Sequence, residues 1–181
     1  MKKTYAVLAL IAIAILVAYA LLPDRSFKED LLPVPEGVTL DGYDDRSDGG
    51  ASEASLSVNG GEAEFSCVLG ADSVKFAWCG LLWNLDPQGK KDYRNWTFVD
   101  TVFVDVEARG ISEVIVKVWT FDPDVTDIEK PATFKLLLKE VPVKEGRQRV
   151  AVPMEEFYTP DFWYETAQVS KEYNKRHQEK V

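Results

Sequence analysis

A chain of 181 residues, 46% hydrophobic and 12% aromatic, carries enough apolar material for one domain with short appendages. Its formal charge of -9 excludes a basic footprint for nucleic acid and argues against adhesion of the folded part to anionic lipid. The one histidine, His177, removes most histidine-dependent catalysis and nearly all histidine-rich metal sites.

Lys2 and Lys3 precede an unbroken apolar run from Tyr5 to Leu22. Positive charge ahead of such a run leaves the N-terminus in the cytoplasm and sends the remainder outward. Two readings of the run stay open. As an N-terminal hydrophobic helix it is near the minimum length for crossing the bilayer and longer than a usual signal core. As a signal peptide it offers Ala18-Tyr19-Ala20 for cleavage after Ala20. Either way the domain is exported. Residues 23–37, with Pro33 and Pro35, read as a linker.

The residues that follow alternate between strand and turn signals. Gly37-Val38-Thr39-Leu40 opens a first edge strand, and Asp41 to Gly50 is expected to be a loop. Its aspartates Asp41, Asp44, Asp45 and Asp48 give either a solvated turn or oxygen ligands for a structural Ca²⁺. They lack EF-hand spacing, because Arg46 stands where a ligand is needed. Ala54 to Val58 alternates, Asn59-Gly60 signals a hairpin, and Glu62 to Leu69 returns with Ala63, Phe65, Cys67 and Leu69 inward. Cys67 and Cys79 flank the turn near Ser73 and are expected to face each other across two antiparallel strands. Outside the cytoplasm such a pair forms a disulfide; the competing reading is two buried thiols.

Val99 to Val106 and Val114 to Phe121 are dense in β-branched and aromatic residues. Alternation puts Val102, Val104 and Val106 opposite Thr101, Phe103 and Asp105. It likewise puts Val114, Val116 and Val118 opposite Ile115, Lys117 and Trp119. One clean apolar face marks an antiparallel strand with one side on a core. Ala132 to Val141 and Gln148 to Val152 continue the pattern. Pro153 to Tyr164 reads as an aromatic loop over the core, and residues 165–181 as a polar tail.

About seven strands without a convincing amphipathic helix predict an all-β fold, an antiparallel β-sandwich spanning residues 38–164. The acidic Asp45–Ser52 loop, the Phe76–Leu82 run, the Val102/Val104 and Val116/Val118 strands taken as a pair, and the ending Val150-Ala151-Val152-Pro153-Met154-Glu155-Glu156-Phe157 carry a resemblance. Residues 40–164 resemble galactose-binding-like jelly rolls, notably carbohydrate-binding modules and intermediate-associated protein 30 type domains. Phe157-Tyr158-Thr159-Pro160-Asp161-Phe162-Trp163 is similar to a segment in exported input domains of bacterial membrane histidine kinases and diguanylate cyclases. The resemblance implies a bacterial envelope protein, anchored in the inner membrane through residues 5–22 with its domain in the periplasm, or secreted if cleaved. It also implies that the chain is either a piece of a longer receptor or a stand-alone relative, because no strand follows the aromatic segment.

The expected role is binding or sensing without catalysis. The candidate ligand face comprises Lys117, Trp119, Thr133 and Lys135, with Trp83 and Trp96 at the rim. Indoles stack on the apolar side of a sugar while ammonium and hydroxyl groups bond its hydroxyls. The competing reading of each of these tryptophans is core or inter-sheet packing. Carboxylate pairs such as Glu155-Glu156 and Asp122/Asp124 are the material for a glycosidase, but acidic residues in turns are ordinarily solvated. No cofactor is implied beyond the Ca²⁺ reading. The alternative role is an envelope structural or protein-interaction module that docks a partner through an open sheet edge or the aromatic loop.

Overall fold

A computed structural model of the chain describes residues 27–70, 77–89, 96 and 98–172. The apolar run 5–22 and the end of the polar tail lie outside the described residues. Among the described residues no helix is long and apolar enough to cross a membrane. The secondary structure is nearly all strand, arranged in four antiparallel ladders, so the fold is all-β.

In chain order the strands are β1 (Thr39–Asp44), β2 (Glu53–Asn59), β3 (Glu62–Val68), β4 (Cys79–Asn84), β5 (Thr101–Ala108), β6 (Glu113–Thr120), β7 (Lys135–Pro142) and β8 (Gly146–Pro153). β2 and β3 form the expected hairpin, with Asn59 opposite Glu62 and Gly60 at φ +62° in the connection. β1 pairs with β4, from Thr39 opposite Asn84 to Asp44 opposite Cys79. The acidic loop therefore begins later than expected. Its first four residues belong to β1, and Asp45–Asp48 is a short 3-10 turn whose N–H at Arg46 is capped by the Asp44 carboxylate. The apolar β4 needs a ladder partner, and that long-range demand overrides the local turn preference of Asp41 and Gly42.

The expected pairing of the two valine strands is corrected. β5 pairs with β8, and β6 pairs with β7. Alternation itself holds: Val102, Val104 and Val106 are less exposed than Phe103, Asp105 and Glu107, and Val114, Val116 and Val118 less than Ile115, Lys117 and Trp119. The two valine faces meet across a shared cluster instead of lying side by side. Leu137, Val141, Val152 and Phe157 are buried at its centre, with Val102, Val114, Val116, Val118 and Val150 packed around them. An apolar face specifies that something must cover it, and leaves the choice of covering strand to the chain as a whole.

β7 is buried on both sides. Leu137 and Val141 enter the first cluster, whereas Leu136 and Leu138 pack under Trp163 in a second. That tryptophan belongs to a helix, α1 (Asp161–Ala167), formed where the sequence suggested a loop. Trp163 is 2% exposed, and its indole N–H donates to the Phe134 carbonyl at 2.7 Å. A buried ring with its polar atom satisfied fixes so short a helix where propensity alone would leave it frayed.

Cys67 and Cys79 are bonded, with Cα atoms 6.0 Å apart. They do not span one hairpin, however. Cys67 lies in the β2–β3 ladder and Cys79 in the β1–β4 ladder, so the bond joins two ladders. The same ladders also touch at Gly42, whose backbone lies against Leu56 and Phe65.

Candidate binding face

β6 and β7 present one outward face. On β6 it displays Glu113, Ile115, Lys117 and Trp119, all exposed, with Ile115 at 50% and Trp119 at 45%. The register sets Ile115 opposite Glu140, Lys117 opposite Leu138 and Trp119 opposite Leu136. Leu136 and Leu138 are covered by α1, so the open part of the face is the β6 side.

Beyond β7 the chain returns at Tyr158. Its N–H donates to the Leu138 carbonyl at 3.0 Å, and its carbonyl accepts from the Leu138 N–H at 2.9 Å. The Tyr158 phenol donates to Glu140 at 2.5 Å. That bond pushes the phenol pKa up and the Glu140 carboxyl down, since it favours the neutral donor and the charged acceptor. Tyr158 and Glu140 thus extend the face that carries Lys117 and Trp119. Neither stood out in the sequence, because only the returning segment brings Tyr158 beside β7.

The remaining expected ligand residues lie elsewhere. Lys135 is 2% exposed, on the inner side of β7 opposite Thr120. Burial pushes its pKa down, and the charge of Asp122 opposes that shift. Thr133 sits in a 3-10 turn, Pro131–Thr133, ahead of β7. Its hydroxyl accepts the Asp127 N–H at 2.8 Å and lies 2.7 Å from the Lys130 carbonyl, to which it donates. Neither residue joins the outward face. Expecting a continuous strand from Ala132 with Lys135 facing out put them there; Thr133 falls in the turn that Pro131 starts, and Lys135 shares the face of β7 that carries Leu137 into the core.

Trp83 and Trp96 hold the segment that follows the apolar run. The Trp83 indole donates to the Leu31 carbonyl at 3.1 Å, and that of Trp96 to the Glu29 carboxylate at 3.0 Å. Phe27 meets Phe98 edge to face with ring centroids 4.9 Å apart. The described part of the expected linker therefore lies along the domain.

The four loop aspartates do not converge. Among the described residues no three histidine, cysteine or acidic side chains are placed to share a metal ion. Asp41 accepts from the Thr39 hydroxyl at 3.0 Å, while Asp44 takes two bonds from the Arg46 guanidinium, one from the Arg46 N–H and one from the Ala54 N–H. The Arg46 bond, then the Ala54 N–H, hold the Asp44 carboxyl at about 2, against an ordinary 3.8. Asp45 is fully buried, and burial pushes its pKa up. The N–H groups of Ser52 and Trp78 and the Ser52 hydroxyl outweigh that, so the carboxyl stays below its ordinary value. These carboxylates order the chain's own backbone.

A second outward patch lies on β5–β8. Phe103 is 62% exposed, with the Arg149 guanidinium 5.8 Å from its ring centre. Arg149 also grips Asp105 through two 2.6 Å bonds. Next to it, Val99, Asp100, Thr101, Pro153, Met154 and Glu155 line an open cavity of about 300 Å³. No family model matches the chain, and comparison with curated proteins and with solved structures likewise finds no match.

Proposed function

We propose that the chain is an exported, non-catalytic binding or sensing domain of the bacterial envelope, a jelly-roll β-sandwich held at the membrane by residues 5–22. Two ladders sharing one valine-rich cluster support the sandwich reading. The Cys67–Cys79 bond supports an oxidising compartment. The observation that carries the binding role is the outward face of β6, where Trp119 and Lys117 stand exposed with the Tyr158–Glu140 pair on the far side of β7. One indole and one ammonium on β6, with a phenol–carboxylate pair beyond the part of β7 that α1 covers, suit a carbohydrate chain, stacking a ring face and bonding its hydroxyls.

The test is calorimetric titration of the full chain in detergent micelles with a panel of soluble polysaccharides. Weak binding that disappears in Trp119→Ala and persists in Trp83→Phe supports the reading. Silence of the wild type across the panel overturns it.

A second reading is docking of a protein at the edge of β6. It is favoured by one observation: among the described residues β6 pairs with β7 alone, so its other edge meets no strand.

A further inference from the structure

β6 is eight residues long and contains no proline or bulge; the proline of its ladder with β7, Pro142, stands at the end opposite Glu113. Among the described residues no backbone group from another segment bonds to it outside that ladder. Its inward valines Val114, Val116 and Val118 belong to the core cluster yet remain partly exposed, whereas Leu137 and Val141 on β7 are buried. Natural sheets blunt such an edge with charge, proline or a covering segment, because it templates pairing with another chain. Here only Glu113 and Lys117 are charged, and they carry opposite signs.

The sequence of β6 is complementary to itself. In an antiparallel pairing of β6 with β6 of a second copy, residue numbers across the junction sum to a constant, and the registers can be compared. Centred on Lys117, the pairing sets the two ammonium groups against each other. Centred on Val116, it sets Lys117 against Ile115 and Glu113 against Trp119. Centred on Ile115, it sets Lys117 opposite Glu113 twice, Ile115 opposite Ile115, and Trp119 opposite Ile111, which lies two residues before β6 and is itself 48% exposed. Val114 then faces Val116 on the inner side. Every cross-strand pair on the outward face is matched in charge or in apolarity. The outward face of β5 offers no equivalent: centred on Asp105 it would oppose two carboxylates, and centred on Val106 it would oppose Asp105 and Glu107.

We propose that the partner at the β6 edge is a second copy of this chain, paired antiparallel about a two-fold axis at Ile115. This rests on the edge-docking reading and names its partner. The dimer merges two β6–β7 ladders into one four-stranded sheet and covers the partly exposed valines. The contact is isologous, so it closes at two copies.

The experiment is sedimentation equilibrium of the full chain in density-matched detergent. Wild type is expected to sediment as a dimer. Glu113→Lys and Lys117→Glu singly are each expected to weaken self-association by about tenfold or more, since two attractive pairs become repulsive. The double exchange Glu113→Lys with Lys117→Glu restores it, which loss of folding or association through the apolar run does not reproduce. A monomeric wild type, or a dimer indifferent to both single reversals, overturns the proposal. A monomer that still captures a different protein at this edge overturns it too, while sparing the broader edge-docking reading.

Discussion

The carboxylate of Asp45 accepts the backbone N–H of Trp78 at 3.1 Å, joining positions 33 residues apart, and also takes the N–H and hydroxyl of Ser52. A fully buried charge persists only when its acceptor sites are filled. This one ties the 3-10 turn after β1 to the entries of β2 and β4.

Acid should loosen this corner. Asp44 and Asp45 both have carboxyls below the ordinary 3.8, Asp44 at about 2. A depressed folded pKa means the stabilisation is complete above the unfolded value and is lost as pH falls through the folded one. Urea midpoints are therefore expected to hold steady down to about pH 5 and to drop between about pH 4 and pH 2. Asp44→Asn flattens that drop and lowers the midpoint at neutral pH. A wild type with equal midpoints at pH 5 and pH 2.5 contradicts this account.

Reduction of Cys67–Cys79 removes a cross-link that closes 12 residues of sequence. The chain-entropy model puts the loss at about 3 kcal/mol. Chemical denaturation of Cys67→Ser with Cys79→Ser, compared with oxidised wild type, measures it. Because the bond joins two ladders, amide exchange should quicken in both β3 and β4.

Trp83→Phe keeps an aromatic ring, smaller than the indole, and deletes the donor to the Leu31 carbonyl. The expected cost is about 1 kcal/mol. Limited proteolysis reads the consequence directly, with faster cleavage between Phe27 and Gly37 in Trp83→Phe and Trp96→Phe. If cleavage there matches wild type, the two indoles do not secure that segment.

Gly80 lies opposite Tyr43, and a Cβ at Gly80 would meet the Tyr43 ring at 2.5 Å. Tyr43 in turn packs 5.4 Å from Trp78, and burial raises its phenol pKa. Gly80→Ala must displace that ring, at about 1–3 kcal/mol. Gly37→Ala meets no neighbour but sits at φ +78°, where a side chain is strained; its cost is about 1 kcal/mol and leaves the Tyr43 fluorescence environment unchanged.

Which side of each strand faces inward was legible in the sequence for β5 and β6, because alternation is a local property with a period of two. The β2–β3 hairpin was legible for a similar reason: its turn residues stand next to the strands they join. The disulfide was legible from two cysteines flanking one turn in a chain read as exported. Tertiary structure alone decided the partners, since Val102 and Val116 are equally good material for one ladder or for two facing ones. It also decided the fate of individual polar and aromatic residues. Lys135 fell inside because both faces of β7 are covered, Trp83 and Trp96 were spent on residues 29–31, and Tyr158 reached the outward face through a returning segment. Those outcomes depend on contacts between positions far apart in sequence, whose energies no single stretch of residues contains.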